Sequence, residues 1–293
     1  MFDFVLHQKK FFFISGVLVL VSILFLAIFG LELGIDFVGG TIMEVEYLEN
    51  NFTNQEIHEK LSEIDLGEIK VQSAGENGFI LRFKDIDEAT HQEILKALEN
   101  PEEKKFETMG PVIGRELSRK AKWTVILACL AIIIYIAWAF RKISHLFGKR
   151  ESWRYGLGAL IALFHDVIIL LGFFSILGVL KKVEVNTSFI TAILIVLGYS
   201  VNDTIVIYDR IRENLLTYHY KDLAKTINLS LNETIVRSLN TSITTLLALL
   251  AVYLFGGVSI RDFVLAMMVG IAVGTWSSLA IASQFLLLKR SKK

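Results

Sequence analysis

A single cysteine, Cys129, excludes an internal disulfide and a thiolate metal cluster from this chain. It lies in an apolar run, where a packed or lipid-facing side chain is expected. Prolines are almost as scarce: Pro101 and Pro111 are the only two, and both fall outside the apolar runs. Net charge is missing as well, since 30 basic residues balance 30 acidic ones, so charge offers no footprint for a nucleic acid. No phosphate-binding glycine-rich P-loop occurs, which argues against an ATPase. No Ser/His/Asp set falls within one compartment, and no metal or cofactor site is expected. The composition therefore points away from an enzyme. What the chain has in abundance is apolar residues, 53% of 293, with a mean hydropathy of +0.53. A soluble domain of this length rarely has that composition.

The apolar residues fall into six runs: Phe11 to Gly30, Trp123 to Phe140, Tyr155 to Leu180, Ser188 to Tyr208, Ser242 to Phe255 and Phe263 to Leu288. Each approaches the roughly 20 residues that a membrane-crossing helix needs. The fifth is short unless its helix begins earlier, near Asn232. The first is longer than the ~7–15 residues of a secretory signal core and has no small-x-small cleavage site after it, so an uncleaved signal anchor is expected.

Between the first two runs the charge density rises and the periodicity changes. Gly40 to Tyr47 alternates like a strand. Asn51 to Ile64 has helical spacing, with Thr53 and Glu56 resembling a capping box. Ile69 to Gln72 and Phe79 to Phe83 are short strands joined through Glu76, Asn77 and Gly78, a hairpin signal. Asp87 to Glu99 is amphipathic, with Ile94, Leu95 and Leu98 inward, and Lys105 to Met109 can close as a last strand. Gly39 and Gly40, after Asp36, form a turn into the first strand. The order is βαββαβ, the ferredoxin-like split motif. The expected division is residues 1–30 as N-terminus and first span, 31–120 as one small α+β domain, and 121–293 as five further spans.

Basic residues set the topology. Lys9 and Lys10 precede span one. Arg141, Lys142, Lys149, Arg150 and Arg154 join spans two and three, and Arg210, Arg212, Lys221 and Lys225 join spans four and five. Lys289, Arg290, Lys292 and Lys293 follow span six. A six-span chain puts all four groups on one face, which predicts cytoplasmic termini and an exterior 31–120 domain. Lys181, Lys182 and Arg261 lie on the opposite side.

Polar residues inside the spans are the candidate functional groups. Span four carries Tyr199, Ser200, Asn202, Asp203 and Thr204, and a carboxylate at that depth costs a few kcal/mol on insertion scales. Span three carries His165 and Asp166, readable as a helix–helix hydrogen bond, a proton-handling pair or support for Asp203. In span five Arg237, Asn240, Thr241, Thr244 and Thr245 share one helix face. Spans four and five are antiparallel, so Asp203 and Arg237 are expected at a similar depth. As partners they form either a static ion pair or a proton site loaded and unloaded by small movements, and intramembrane charges favour the functional reading. Such a pair predicts that Arg237→Ala strands a buried carboxylate. Asp209, Arg210, Arg212 and Glu213 read as interfacial anchors. Gly270, Gly274, Ser277 and Ser278 read as a small-residue packing face.

These segments carry a resemblance. Leu33 to Thr41 (LGIDFVGGT), Gly198 to Thr204 (GYSVNDT) with Tyr208 to Asn214 (YDRIREN), and Asn232 to Thr234 with Arg237 to Ser242 resemble the SecD/SecF family of bacterial protein-export subunits, its SecF branch in particular. Gly110, Pro111, Gly114, Glu116 and Leu117, the His165–Asp166 pair, and Gly274 to Ser278 agree. Trp276 stands where that family usually carries Tyr. The resemblance covers nearly the whole chain. It implies a six-span half of an RND-type transporter in a bacterial inner membrane, paired with SecD and working at the SecYEG translocon, with YajC a further partner. It implies that the proton gradient, not a cofactor, helps draw unfolded secretory polypeptides outward. It places a functional carboxylate at Asp203 and a functional arginine at Arg237. Asn202, Thr204, His165, Asp166, Asn240 and Thr241 are supporting polar groups, and Gly34, Asp36, Gly39 and Gly40 a structural motif. The remainder of the proton path belongs to SecD. A small-molecule or lipid exporter of the RND kind, or a non-transporting scaffold, are the alternatives.

Overall fold

The computed structural model of the chain describes residues 2–48, 52–75, 77–141, 149–218 and 222–288. Asn51, the turn residue Glu76 and the basic residues Lys142, Lys221, Lys289, Arg290, Lys292 and Lys293 lie outside them. The chain divides into two compact units, Met1–Glu32 with Trp123–Lys293, and Leu33–Lys122.

The smaller unit opens with a four-residue helix, α2 (Ile35–Val38), N-capped by Gly34 with Asp36 in its first turn. Strand β1 (Gly40–Glu46) follows, then α3 (Asn54–Leu61), β2 (Lys70–Ala74), β3 (Gly78–Phe83), α4 (Glu88–Ala97) and β4 (Glu102–Met109). The sheet order is β2-β3-β1-β4, and the pairings are antiparallel. This is the split βαββαβ arrangement expected from the periodicity. Thr53 caps α3 through a full capping box with Glu56, and Asp87 caps α4. The core is Met43, Val45, Ile57, Leu61, Leu66, Phe79, Leu81, Phe83, Ile94 and Leu98. In β1, Met43 and Val45 point into it while Glu46 is exposed, so the period-two alternation reports the buried face.

Gly39 and Gly40 have φ of +85° and +126°. A Cβ on Gly39 would lie 2.8 Å from Pro111 Cα, and one on Gly40 2.9 Å from the Phe83 carbonyl oxygen. Only glycine satisfies both the backbone and the space here. The pair is therefore more than a turn: it is where α2, β1 and the start of the next helix press together. That helix, α5 (Pro111–Ala139), begins 12 residues before the apolar run itself, with proline at its first position.

The larger unit is helical. It holds α1 (Gln8–Phe29), the later part of α5, α6 (Lys149–Lys181), α7 (Thr187–Tyr218), α8 (Leu223–Phe255) and α9 (Val258–Ser277). A π-helical turn (Ser278–Ala282) and α10 (Ser283–Phe285) continue from α9. Among the described residues six helices are long and apolar enough to cross a membrane. The fifth begins at Leu223, nine residues before the start expected near Asn232, because Asp222 caps it through the backbone N–H groups of Ala224 and Lys225. The N-terminal segment is tied to α8: the Phe2 N–H donates to Asn232 Oδ1 at 2.8 Å, Asn232 Nδ2 returns a bond to the Phe2 carbonyl at 2.8 Å, and the Phe4 N–H donates to Asn228 Oδ1 at 2.8 Å.

Candidate functional site

The polar interior of the bundle is built on α7. Helical spacing puts Ser200, Asp203, Thr204 and Ile207 on neighbouring positions of its buried side. Asp203 is only 5% exposed. Its Oδ2 accepts a short hydrogen bond from the Ser238 hydroxyl of α8. Thr204 pairs with Ser278 of the π-turn at 2.9 Å, and Ser278 also reaches the Ser200 carbonyl at 3.3 Å. Gly274 lets α9 come this close, since a Cβ there would sit 2.8 Å from Ser200 Cβ.

A second carboxylate lies on α6. Asp166 has no exposed surface. Its Oδ2 accepts from Ser200 Oγ at 2.6 Å and from Ser277 Oγ at 2.9 Å, so one carboxylate joins α6, α7 and α9. His165 Nδ1 lies 3.0 Å from its other oxygen. The two acidic centres have different partners: Asp203 faces α8, whereas Asp166 faces α7 and α9.

The expected Asp203–Arg237 ion pair is not made. Arg237 is exposed, and the hydroxyl of the next residue, Ser238, takes its place beside Asp203. The reason is helical phase. One residue is a 100° turn, so the face that carries Arg237, Asn240, Thr241 and Thr244 cannot also face α7. All four are exposed on this chain, with Thr245 half-buried beside Tyr199 at 3.4 Å. The face that does pack is a hydroxyl row, Thr226, Ser230, Thr234, Ser238 and Ser242, all buried. Its four-residue spacing is the ridge along which helices pack, and it was legible in the sequence had the uncharged positions been followed. Asn202 is exposed and stands outside the cluster. Ser277 and Ser278 do lie on a packing face, but they also bring hydroxyls to Asp166 and Thr204.

Toward the end of α7 the anchors form a network. Arg210 pairs with Glu233 and with Glu213, each at 2.7 Å, and Arg212 with Asp209 at 2.5 Å. Buried Asn214 donates to Ser230 Oγ at 2.9 Å and to Glu233 at 2.8 Å, which fastens α7 to α8. Among the described residues no group of three or more His, Cys, Asp or Glu side chains could hold a metal ion.

Comparison with known proteins places this geometry. Residues 90–292 match the family described as protein export membrane protein SecD/SecF, C-terminal, and residues 24–47 match the SecD/SecF GG motif. The protein translocase subunit SecF of Thermobaculum terrenum is 40% identical over 308 aligned residues, covering 100% of this chain and 95% of that one. That of Rickettsia prowazekii is 38% identical, covering 100% and 92%. The crystal structure of SecDF, a translocon-associated membrane protein from Thermus thermophilus, superposes with a TM-score of 0.83 at 32% identity. That match covers 98% of this chain but 38% of the solved chain. A second SecDF structure, in a super-membrane-facing form, superposes with a TM-score of 0.68.

Proposed function

The chain belongs to the SecD/SecF family of protein-export membrane proteins, and from that premise we propose that it is the SecF-type half of a proton-driven export motor. In this reading it pairs with a SecD-type partner that supplies the rest of the solved SecDF length. The pair works beside the SecYEG channel, with YajC as a further neighbour, and draws unfolded secretory chains outward. The chain crosses a bacterial inner membrane with both termini in the cytoplasm and the Leu33–Lys122 unit outside. It needs no cofactor and performs no covalent chemistry.

The observation that carries the reading is Asp203: a carboxylate 5% exposed inside a spanning helix, bonded to one hydroxyl and, among the described residues, to no cation. Intramembrane carboxylates are costly and mark ion pathways. The exposed polar face of α8, Arg237 with Asn240, Thr241 and Thr244, supports the partner. A guanidinium and three polar side chains do not face lipid in a finished assembly, so a second spanning surface covers them. Arg237 then serves the proton path from the interface.

The test is Asp203→Asn, nearly isosteric and uncharged, in cells or vesicles that also contain the SecD-type partner. Secretion of a reporter driven by the proton gradient is lost at least tenfold, while membrane levels of the protein stay normal. Normal secretion at normal level overturns the proton role and leaves a scaffold.

A further inference from the structure

Asp203 is not the only buried acid in the bundle, and the second one has a neighbour that Asp203 lacks. His165 is 6% exposed, and its Nε2 has no hydrogen-bond partner among the described residues. Its Nδ1 is 3.0 Å from Asp166 Oδ1. We propose that His165 and Asp166, with the hydroxyls of Ser200 and Ser277, form a second proton-binding site, separate from Asp203, whose loading loosens the junction of α6, α7 and α9. The proposal goes beyond the export reading and does not need it.

The donor arrangement selects a proton over a metal cation. Both Asp166 oxygens already face hydrogens of the protein: two hydroxyls on Oδ2, and the imidazole on Oδ1 when Nδ1 carries the hydrogen. A sodium ion is held by several oxygens at once, whereas Asp166 is the one carboxylate of this cluster and three of its four acceptor sites already face hydrogens. In that tautomer the bare lone pair is on His165 Nε2, and a proton is what it accepts. One proton binds at Nε2, the Nδ1 hydrogen passes to Asp166 Oδ1, and the imidazole is again neutral with its hydrogen on Nε2. The carboxylate has become a carboxylic acid, and release runs the same steps backwards.

The other titratable groups on the elements around the pair are few. Along α1 no ionisable residue occurs between Lys10 and Glu32, and along α9 and the π-turn none occurs between Asp262 and Lys289. On α6 the remaining titratable groups between Arg154 and Lys181 are Tyr155 and the pair itself. On α7 the acid nearest Ser200 is Asp203, whose bond goes to Ser238. Among the described residues His165 is the only base within hydrogen-bonding distance of Asp166.

Loading has a structural consequence. Hydrogen bonds to a carboxylate are roughly twice as strong as neutral ones, so neutralising Asp166 weakens the bonds from α7 and α9 together. Ser277 has an alternative acceptor at hand, the Gly274 carbonyl at 3.1 Å against 2.9 Å for Asp166. Its single hydrogen can leave the acid without being stranded. Ser277 immediately precedes the π-turn, where the helix ladder is already irregular.

The experiment uses the full chain in lipid nanodiscs with nitrogen-15-labelled histidine and infrared difference spectra across a pH titration. His165→Gln assigns the His165 signals among the six histidines. The site predicts that His165 changes from the Nδ1–H to the Nε2–H tautomer, and that a carboxylic-acid band appears with the same midpoint. Asp166→Asn abolishes both signals, Ser277→Ala shifts the midpoint, and Asp203→Asn leaves them in place. A wild-type His165 that keeps one tautomer throughout, with no band assignable to Asp166, overturns the proposal and leaves a structural knot. A midpoint that moves with sodium concentration at fixed ionic strength also overturns it, in favour of a cation site. Because no export is measured, failure here and failure of the Asp203 secretion test are separate results.

Discussion

At Asp203 everything turns on a hydroxyl rather than a guanidinium. The sequence expectation was that Arg237→Ala would strand a buried carboxylate. With Arg237 exposed and Ser238 in contact, the two substitutions exchange their effects. Ser238→Ala removes the one hydroxyl that Asp203 accepts from and costs about 1–3 kcal/mol of bundle stability. Arg237→Ala, at an exposed position, stays within about 0.5 kcal/mol for the isolated chain. Thermal unfolding of the two variants in nanodiscs, without partner, measures this order. Arg237→Ala still impairs secretion when the SecD-type partner is present, since its role belongs to the covered face. Arg237→Lys impairs it too, by losing the planar fork.

Among the elements, close approach and capping govern stability. Gly274→Ala places a methyl 2.8 Å from Ser200 Cβ. It forces α7 and α9 apart at an overpacking cost of about 1–3 kcal/mol, and a cross-linkable cysteine pair bridging these helices reacts more slowly. In the Leu33–Lys122 unit the helix starts hold the acid sensitivity. Backbone and hydroxyl bonds from Thr53 hold Glu56 below the usual carboxylate range, and those from Thr90 do the same for Asp87. Lys84 holds Asp65 down through a hydrogen bond and its charge. A carboxylate whose folded value is depressed stabilises above its unfolded value and loses that contribution as pH falls through the folded one. Amide protection of this unit is therefore flat near neutrality and declines below about pH 4. Thr53→Ala weakens α3 by about 1 kcal/mol at neutral pH and makes the acid decline somewhat shallower, because Glu56 loses the hydroxyl bond and keeps only the Thr53 backbone N–H that lowers its titration.

For the whole molecule, orientation is the prediction that matters. In a Cys129→Ser background, a cysteine at Asn77 is labelled from outside the cell by an impermeant thiol reagent, and one at Ser144 is not. The reverse pattern inverts the topology and removes the export direction from the functional reading. Copurification with the SecD-type partner is expected to depend on the α8 polar face, and a quadruple alanine variant at Arg237, Asn240, Thr241 and Thr244 to lose it.

Much of this protein was decided by local rules. Apolar run length specifies six spanning helices, since backbone groups in lipid must bond internally. Period-two and period-3.6 alternation, the Thr53–Glu56 box and the Asp87 cap specify the βαββαβ unit, because each depends on residues within a few positions of one another. The intramembrane acids were legible for the same reason: Asp166 and Asp203 stand out against apolar neighbours. Which partner each acid meets was not legible. That depends on the rotation of α6, α7, α8 and α9 about their axes, and a single residue of phase separates Arg237 from Ser238. Long-range packing set that phase, through Gly274 against Ser200 and the hydroxyl row from Thr226 to Ser242. The left-handed pair Gly39–Gly40 was settled in the same way, by the close approach of Pro111 and Phe83 from far along the chain.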